Sequence, residues 1–340
     1  MAAISLTLQT LYQDLLQAHL DRPPDELAGA PHKRNTGGKS FWYATVRTGG
    51  AHRQFFIGPD DKRTRVRIKR WSEAKSDAAA FRALASEKAA ALRAARMPAL
   101  DITTGKVLRG LAQAGAFRLG AVLVGTHAFR LYDLELGARL SSQATAITAD
   151  VDLASFEKLS VSIEDHAEPE LPAVLAALGL APVGSLNRGK PTRWRLPKSD
   201  FAVDFLAPSF DETEGPQRLE ALGLWAQGLH FLNFLIRDPI PAVALYREGV
   251  LVQIPSPERF AIHKLIVAAR RRGPGLAKAA KDLAQARALV TTLAESRPSL
   301  LSQVFKEAKN EGPKWAAAIA ASLKRMPDIK AVLDRIERTE

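Results

Sequence analysis

The order of hydrophobic and polar residues changes several times along this chain, and each change marks a predicted element. Apolar residues recur at helical spacing over residues 4–20, and the two prolines of DRPPDE end that pattern. The alanine-rich stretch 72–96 contains no glycine or proline and ends before Pro98. A further helical pattern covers residues 104–118. The first third of the chain is therefore predicted to contain three helices.

Strand-forming residues replace the helical pattern between the first two of these helices. Aromatic and β-branched residues occupy both arms of FWYATVRTGGAHRQFFIGPDD, residues 41–61, around Gly49 and Gly50. This sequence predicts a β-hairpin whose second arm ends at Gly58-Pro59. The preceding PHKRNTGGKS is polar and contains glycine, so it is predicted to be a link without regular structure.

Strands and helices are both predicted in the middle of the chain. The apolar run AVLV, residues 121–124, predicts a buried strand, with Gly125 as its turn and THAFRLYDLEL as the next helix. TADVDLA, residues 148–154, predicts another strand, and a helix is predicted at 168–184. The remaining strands are predicted within 192–208, at 242–246 and at 250–254.

From Pro257 onward the pattern is helical to the end of the chain. Helices are predicted at 257–272, 276–296, 299–310 and 313–326. Together the elements predict an α+β protein in three parts. Residues 1–100 would hold a helix, the β-hairpin and a long helix, residues 101–255 a core with a mixed sheet, and residues 256–340 a helical domain.

Composition restricts the possible classes of protein. The chain has 340 residues, 46% of them hydrophobic, which is enough for a large core. It contains no cysteine, which excludes disulfides and thiolate zinc sites. The N-terminus lacks the basic start of a secretory signal, and no apolar run approaches the ~18 residues that cross a bilayer. We therefore expect a cytoplasmic protein.

Most of the net charge of +12 lies in one short segment. Lys33 to Arg70 contains 11 Lys and Arg against two Asp, a net +9, which is typical of a segment that binds a polyanion. Rings that could stack on bases are interleaved with these charges: Phe41, Trp42, Tyr43, Phe55, Phe56 and Trp71. The alternative is that the rings form a small core against the helix at 72–96. We expect the rings to be mostly core and the outward charges to contact nucleic acid.

Three aspartates lie inside apolar strands. Asp150 and Asp152 are two residues apart and so point to the same face of a strand, and Asp204 is the single acid in FAVDFL. A buried carboxylate must be paired, protonated or bound to a metal. In a chain without thiols, three converging acids favour hard cations, Mg²⁺ or Mn²⁺. Two such ions can activate an attacking hydroxyl and neutralise a triphosphate, so we expect two.

Gly125 and Thr126 predict a phosphate site beside these acids. A helix that starts directly after a strand and a glycine presents free backbone N–H groups and the positive end of its dipole. Glycine allows the phosphate to approach the backbone closely. The hydroxyl of Thr126 can cap the helix or donate to a phosphate oxygen.

These motifs resemble those of the nucleotidyltransferases of the DNA polymerase β superfamily, which combine a glycine turn, an Asp-x-Asp or Glu, and a third strand acid. The nearer resemblance is to a bacterial family with the nucleotidyltransferase fold. The matching motifs are FWYATVRTGG with FFIGPD, VLVGTHAF, TADVDLA, VDFLAP, and PSPERFAIHKLIVAARR with KAAKDLAQA. The resemblance covers roughly residues 40–295. It implies a polymerase-β-like core in residues 101–255.

The resemblance also implies a reaction, the metal-dependent transfer of an NMP from an NTP to a hydroxyl, with RNA or tRNA as a possible acceptor. Asp150 and Asp152 would bind the metal ions, and Asp204 would be a third ligand or the base. Gly125 and Thr126 would hold the β- and γ-phosphates. Threonine stands where serine is commoner in the superfamily, and it keeps the hydroxyl.

Two lysines are further candidates for nucleotide binding. The superfamily includes abortive-infection toxins that transfer nucleotides to tRNA and carry basic residues on a C-terminal helix, and Lys264 and Lys281 could take that role. Alternatively, Lys264 lies along an amphipathic helix with only its charge in water. Two other functions stay open: a catalytically silent protein that binds nucleotide or nucleic acid, and a toxin of a toxin–antitoxin or phage-defence pair.

Overall fold

Helices and strands both contribute to the structure, so the predicted α+β class is confirmed. The computed structural model describes residues 2–21, 30–48, 51–140, 150–156, 166–167, 169–184, 189–210 and 214–339. The helices are α1 (Leu6–Leu20), α2 (Lys62–Ala94), α3 (Ile102–Gln113), α4 (Gly125–Glu135), α5 (Leu171–Ala177), α6 (Leu232–Leu235), α7 (Pro257–Arg270), α8 (Leu276–Ser296), α9 (Pro298–Asn310), α10 (Pro313–Leu323) and α11 (Pro327–Thr339). Within the described ranges, no helix combines the length and apolar character needed to cross a membrane.

The strands form one large sheet and three small ones. In chain order they are β1 (Ala2–Ala3), β2 (Ala30–Thr36), β3 (Lys39–Thr48), β4 (Ala51–Pro59), β5 (Ala121–Val124), β6 (Ala138–Arg139), β7 (Asp150–Ser155), β8 (Ala181–Pro182), β9 (Arg193–Arg195), β10 (Ala202–Pro208), β11 (Pro216–Leu219), β12 (Leu224–Leu229), β13 (Ile240–Ala244) and β14 (Val250–Ile254). The small sheets are β1-β6, β2-β3-β4 and β13-β14.

The large sheet is mixed and has the strand order β11-β12-β10-β7-β5. Strand β7 runs parallel to β10 on one side and antiparallel to β5 on the other. The other edge of β10 pairs with two strands. Its first residues pair with β9, and its last residues pair with β12. Strands β7 and β10, which carry the three predicted acids, are therefore neighbours in the interior of the sheet.

One hydrophobic core continues from the large sheet into the C-terminal helices. Phe129 and Tyr132 of α4 pack against Phe260 of α7, with ring centroids 6.0 and 5.3 Å apart. The buried hydroxyl of Tyr132 donates to the carbonyl of Pro255 at 2.8 Å. The division at residue 256 stays a prediction about domains, but the packing is continuous across it.

A second, smaller core joins the N-terminal helices to this body. Tyr12 and Leu15 of α1 pack with Leu92 of α2 and with Val243 of β13. The hydroxyl of Tyr12 donates to the carboxylate of Glu135 and accepts from the backbone N–H of Val243. Helix α1 and the last third of α2 are thereby fixed to the body.

The N-terminal module differs from the predicted one in two ways. Helix α2 begins at Lys62 rather than 72, because Asp61 caps it by accepting from the N–H of Thr64 at 2.7 Å. The polar segment predicted as a link forms β2 and a turn at Gly37-Gly38, both with positive φ. The expected hairpin is therefore part of a three-stranded sheet. Its predicted turn at residues 49–50 lies outside the described residues.

Other boundaries also shift. Helix α3 ends at Gln113 rather than 118, and α5 covers only Leu171–Ala177 of the predicted 168–184. The sequence pattern did not predict β1, β6, β8, β11, β12, α6 or the last helix, α11. All of these except α11 are two to six residues long, which is too short for a clear periodicity, and β8 lies in the segment predicted as a helix.

Candidate active site

Backbone pairing places four side chains in one row across four strands. Val124 of β5 pairs with Asp152 of β7, Asp152 with Asp204 of β10, and Asp204 with Arg193 of β9. Paired residues on adjacent strands share a face, and neighbouring strands lie about 4.8 Å apart. Asp150 precedes Asp152 by two residues and so lies on the same face. The structure thus brings the three sequence-predicted acids together.

Arg193 donates hydrogen bonds to two of these acids. Its Nη1 donates to Oδ2 of Asp204 at 3.1 Å, and its Nη2 donates to Oδ1 of Asp150 at 2.8 Å. The sequence pattern did not predict a role for Arg193, since only the register of β9 against β10 shows where this side chain points. The one local signal is that Arg193 begins the short RWR strand directly before the strand that carries Asp204.

Gly125 begins helix α4 against the carboxylate of Asp152. Its φ of +69° is a left-handed conformation that favours glycine, and a Cβ built there would lie 2.4 Å from Oδ2 of Asp152. The carboxylate therefore occupies the space next to the first turn of α4, at the positive end of the helix dipole. Thr126 is buried in that first turn.

Burial raises the pKa of both Asp152 and Asp204. For Asp152, the positive charges of Lys264 and Lys278 oppose this effect, and the negative charge of Asp150 adds to it. The pKa of Asp204 rises to about 6, chiefly by burial, with Arg193 opposing. The cationic side chains around the row therefore do not fully offset the cost of burying these two carboxylates.

The carboxylates of the row are suitable ligands for a hard cation, but they are not already arranged around one metal position. Carboxylate oxygens are the ligands that Mg²⁺ and Mn²⁺ prefer. The guanidinium of Arg193, which bonds Asp150 and Asp204, is itself a cation at this position. Within the described ranges, no group of three or more His, Cys, Asp or Glu side chains is already gathered around one point.

Lys264 of α7 is held in a buried ion pair. Its Nζ donates to Oδ1 of Asp282 at 2.7 Å and lies over the ring of Phe260. Asp282 also accepts from Nε of Arg271 at 2.9 Å. The predicted direct contact of Lys264 with a phosphate would require this pair to break, although the charge of Lys264 already acts on Asp152.

Helix α8 presents two more lysines towards the acids. Burial lowers the pKa of Lys281, the nearby charges of Lys264 and Lys278 lower it further, and Asp282 and Asp152 oppose them. Lys278, which the sequence analysis missed, is exposed and acts on both Asp152 and Asp204. An acidic row on the sheet is thus close to a cationic group on α7 and α8.

The sequence profile of a nucleotidyltransferase family matches residues 103–310, which is well over half of the chain. The chain belongs to this nucleotidyltransferase family. The matched segment contains the acidic row, Arg193 and the lysines of α7 and α8, and it leaves out β2, β3, β4 and α2. Recognition of a nucleotidyltransferase from the sequence is confirmed at this level, and the assignment to the polymerase β superfamily stays a prediction.

Comparison with solved structures adds a distant similarity to this family membership. The crystal structure of an antigenic nucleotidyltransferase-like protein from Paracoccidioides brasiliensis aligns with 70% of this chain and 95% of its own, at 13% identity and a TM-score of 0.37. A similarity this low supports no argument about the site. Among curated proteins, nothing matches the chain.

Proposed function

We propose that the protein transfers a nucleoside monophosphate from an NTP to a hydroxyl group and releases pyrophosphate. The observation that carries this proposal is the row of three aspartates on neighbouring strands, set against the glycine that begins α4. Family membership supports nucleotidyl transfer in general. The row supports the more specific reaction, because its side chains suit a triphosphate and an attacking hydroxyl.

The three carboxylates would hold Mg²⁺ or Mn²⁺, and we expect two ions. When bound, such ions neutralise triphosphate charge and lower the pKa of a hydroxyl. Burial, which raises the pKa of Asp152 and of Asp204, disfavours their charged forms, and a bound cation would offset that cost. Arg193 would have to share or yield Asp150 and Asp204.

The chain's own residues would then act in distinct ways. The acceptor oxygen attacks the α-phosphorus, the bond from that phosphorus to the bridging oxygen breaks, and pyrophosphate leaves. Asp204 would accept the proton of the hydroxyl where Asp150 and Asp152 alone hold the ions. The N–H groups at Gly125 and Thr126 bind phosphate oxygens, and Lys278 and Lys281 attract the leaving pyrophosphate.

Labelled nucleotides test the reaction directly. The protein is incubated with each NTP, carrying label on either the α- or the γ-phosphate, together with Mg²⁺ or Mn²⁺ and total RNA. We expect α-label to enter an acceptor, γ-label to appear in pyrophosphate, and a chelator to stop both. Transfer of γ-label would contradict the proposal, since it would mean phosphoryl transfer. Incorporation into protein or a small molecule would keep the reaction and replace RNA as acceptor.

Arg193 favours a second candidate function, a protein that binds nucleotide or nucleic acid without turnover. Its guanidinium already bonds two of the three carboxylates. A site neutralised in this way could bind a nucleotide through Gly125 and the lysines alone. Tight NTP binding that is indifferent to metal, with no label transfer to any acceptor, would favour this function over the enzyme.

Removal of Arg193 should strengthen metal binding. In Arg193→Gln, a cation no longer has to displace the guanidinium from Asp150 and Asp204. We expect Mn²⁺ to bind about 5-fold more tightly, as for loss of a half-exposed ion pair worth about 1 kcal/mol. The measurement is the electron paramagnetic resonance signal of free Mn²⁺ during titration.

Arg195→Gln is the matched control for this change. Arg195 lies on the same strand, but it bonds the carbonyl of Ser199 and the carboxylate of Asp200 instead of the row. Its loss should leave Mn²⁺ affinity unchanged. Equal affinities for both variants would mean that Arg193 does not compete for the metal position, and absence of Mn²⁺ binding would remove the metal from the proposal.

A further inference from the structure

The register of the three-stranded sheet places four rings on one face. His32 of β2 pairs with Tyr43 of β3, and Tyr43 pairs with Phe56 of β4. Phe41 is two residues from Tyr43 and therefore points the same way. We call these four side chains, His32, Phe41, Tyr43 and Phe56, the ring face.

The start of helix α2 contacts the opposite face of the sheet at Gly58. A Cβ at Gly58 would lie 2.8 Å from Oγ1 of Thr64, so the strand and the helix are in close contact there. Trp42, which pairs with Gly58, donates from Nε1 to Asp60 at 2.9 Å. Trp42 is half-buried, as Phe41 and Tyr43 are, and Phe56 is exposed, so the expectation that the rings are mostly core is not confirmed for the described rings. The side chains of residues 55 and 71 lie outside the described part of the chain.

The rings contact one another and remain open to solvent. Ring centroids are 5.5 Å apart for Tyr43 and Phe56, 6.0 Å for Phe41 and Phe56, and 6.2 Å for His32 and Tyr43. Phe56 is 60% exposed, and its three neighbours are half-buried. Grouped exposed rings of this kind indicate a binding surface rather than a core.

Positive charge lies on the ring face. Arg34 pairs with Phe41, and Lys39 is two residues from Phe41, so both exposed cations are on the face that carries the rings. The carboxylate of Asp60 is already bonded by Lys33 and Arg65. A partner for this surface must therefore be polyanionic and must offer flat apolar groups.

We propose that the ring face binds single-stranded RNA, with unpaired bases stacked on Phe56, Tyr43 and Phe41 and with phosphates near the surrounding cations. Stacking requires bases that are not enclosed in a duplex, and unpaired bases are regular features of folded RNA. The inference deepens the proposed function by naming where the acceptor binds. It rests on that function only for the role of RNA as acceptor.

The test measures binding by fluorescence anisotropy with a labelled single-stranded RNA, without NTP or metal, at several salt concentrations. Phe56→Ala removes one stacking ring and should weaken binding between about 5- and 100-fold, with the salt dependence unchanged. Phe56→Trp keeps a ring and should retain affinity. Phe210→Ala, at a phenylalanine that is 71% exposed outside this sheet, should also bind as the unchanged protein does.

Charge variants test the proposed contacts between the RNA phosphates and the cations. Replacing Arg34 and Lys39 together by glutamine should weaken binding and reduce the salt slope by up to about 0.7 per lost contact. The same change at Lys314 and Lys324, exposed at and after α10, is the control with equal loss of charge. Lys33 and Arg65 are left in place because both bond Asp60.

The outcomes separate this inference from the proposed reaction. Equal affinity of Phe56→Ala and Phe210→Ala would overturn it, as would equally tight binding of double-stranded RNA. Equally tight binding of single-stranded DNA would overturn the assignment to RNA. The binding assay contains no nucleotide or metal, so its outcome does not depend on turnover. RNA binding that Phe56→Ala weakens, without label transfer by the unchanged protein, would reject only the reaction. Label transfer by the unchanged protein, with RNA binding that Phe56→Ala leaves as it was, would reject only the ring face.

Discussion

Replacement of Asp152 by asparagine should reduce nucleotidyl transfer by at least about 10³-fold, the scale of losing a charged group that acts on the transition state. Asp152 lies between Val124 and Asp204 in the row and next to the first residue of α4. The amide keeps the size of the carboxylate and loses its charge. The measurement is the rate of α-label incorporation from NTP.

The variant should remain folded, and the reason follows from the pKa of Asp152. A carboxyl whose pKa is higher in the folded than in the unfolded protein loses its stabilising contribution as the pH rises through the folded value. Burial raises the pKa of Asp152, so at pH 8 the asparagine variant should unfold at the same temperature or a higher one. A clear fall in melting temperature would mean that lost transfer reports unfolding.

Asp133→Asn is the matched control. Asp133 is buried on α4, its pKa is raised to about 6 by burial, and it accepts from the backbone N–H of Leu140 at 3.2 Å. It lies outside the row, and asparagine can still accept that hydrogen bond. Transfer should therefore continue in this variant. Equal losses in both variants would contradict a special role for Asp152.

Gly125→Ala should abolish transfer almost completely and also destabilise the fold. The added Cβ would lie 2.4 Å from Oδ2 of Asp152, so either the carboxylate or the start of α4 must move. The left-handed φ of +69° adds about 1–2 kcal/mol of backbone strain. We expect the free energy of unfolding to fall by about 2–4 kcal/mol when both effects act.

Gly120→Ala separates the two effects. Gly120 lies directly before β5, has a φ of +89°, and a Cβ there would meet nothing within 4 Å. This variant should show the backbone strain alone, with a loss of about 1–2 kcal/mol by denaturant unfolding and normal transfer. If Gly125→Ala lost no more activity than Gly120→Ala, the close approach of Asp152 would have no catalytic importance.

The three acids and Gly125 could be found from the sequence because each departs from its local pattern. A carboxylate within an apolar strand and a glycine between a strand and a helix are visible without any tertiary contact. Arg193 and Lys278 could not be found in this way. Nothing in the local sequence distinguishes these two residues from other surface residues. Their positions near the acids depend on the pairing of β9 with β10 and on the packing of α8 on α7, which the whole fold determines.

The N-terminal module shows a second feature that could not be predicted from the sequence. The sequence indicated aromatic strands and a basic segment, but it assigned the rings to a core against residues 72–96. The cap at Asp61 begins α2 ten residues earlier, so the helix meets the sheet near Thr64 instead. Which face of a strand is covered depends on where the neighbouring helix begins, and composition does not determine that.

Helix α2 separates the three-stranded sheet from the N-terminal core. It is 33 residues long, and its described side chains before Ala85 are exposed or half-buried apart from Thr64. Phe81 is a ring of α2 that packs against the N-terminal core. At 1.5 Å per residue, it lies about 28 Å along the helix from Lys62, at the sheet-bearing end. Any base stacked on Phe56 would be separated from the N-terminal core by this length of helix, so α2 acts as a spacer between the ring face and the anchored helices.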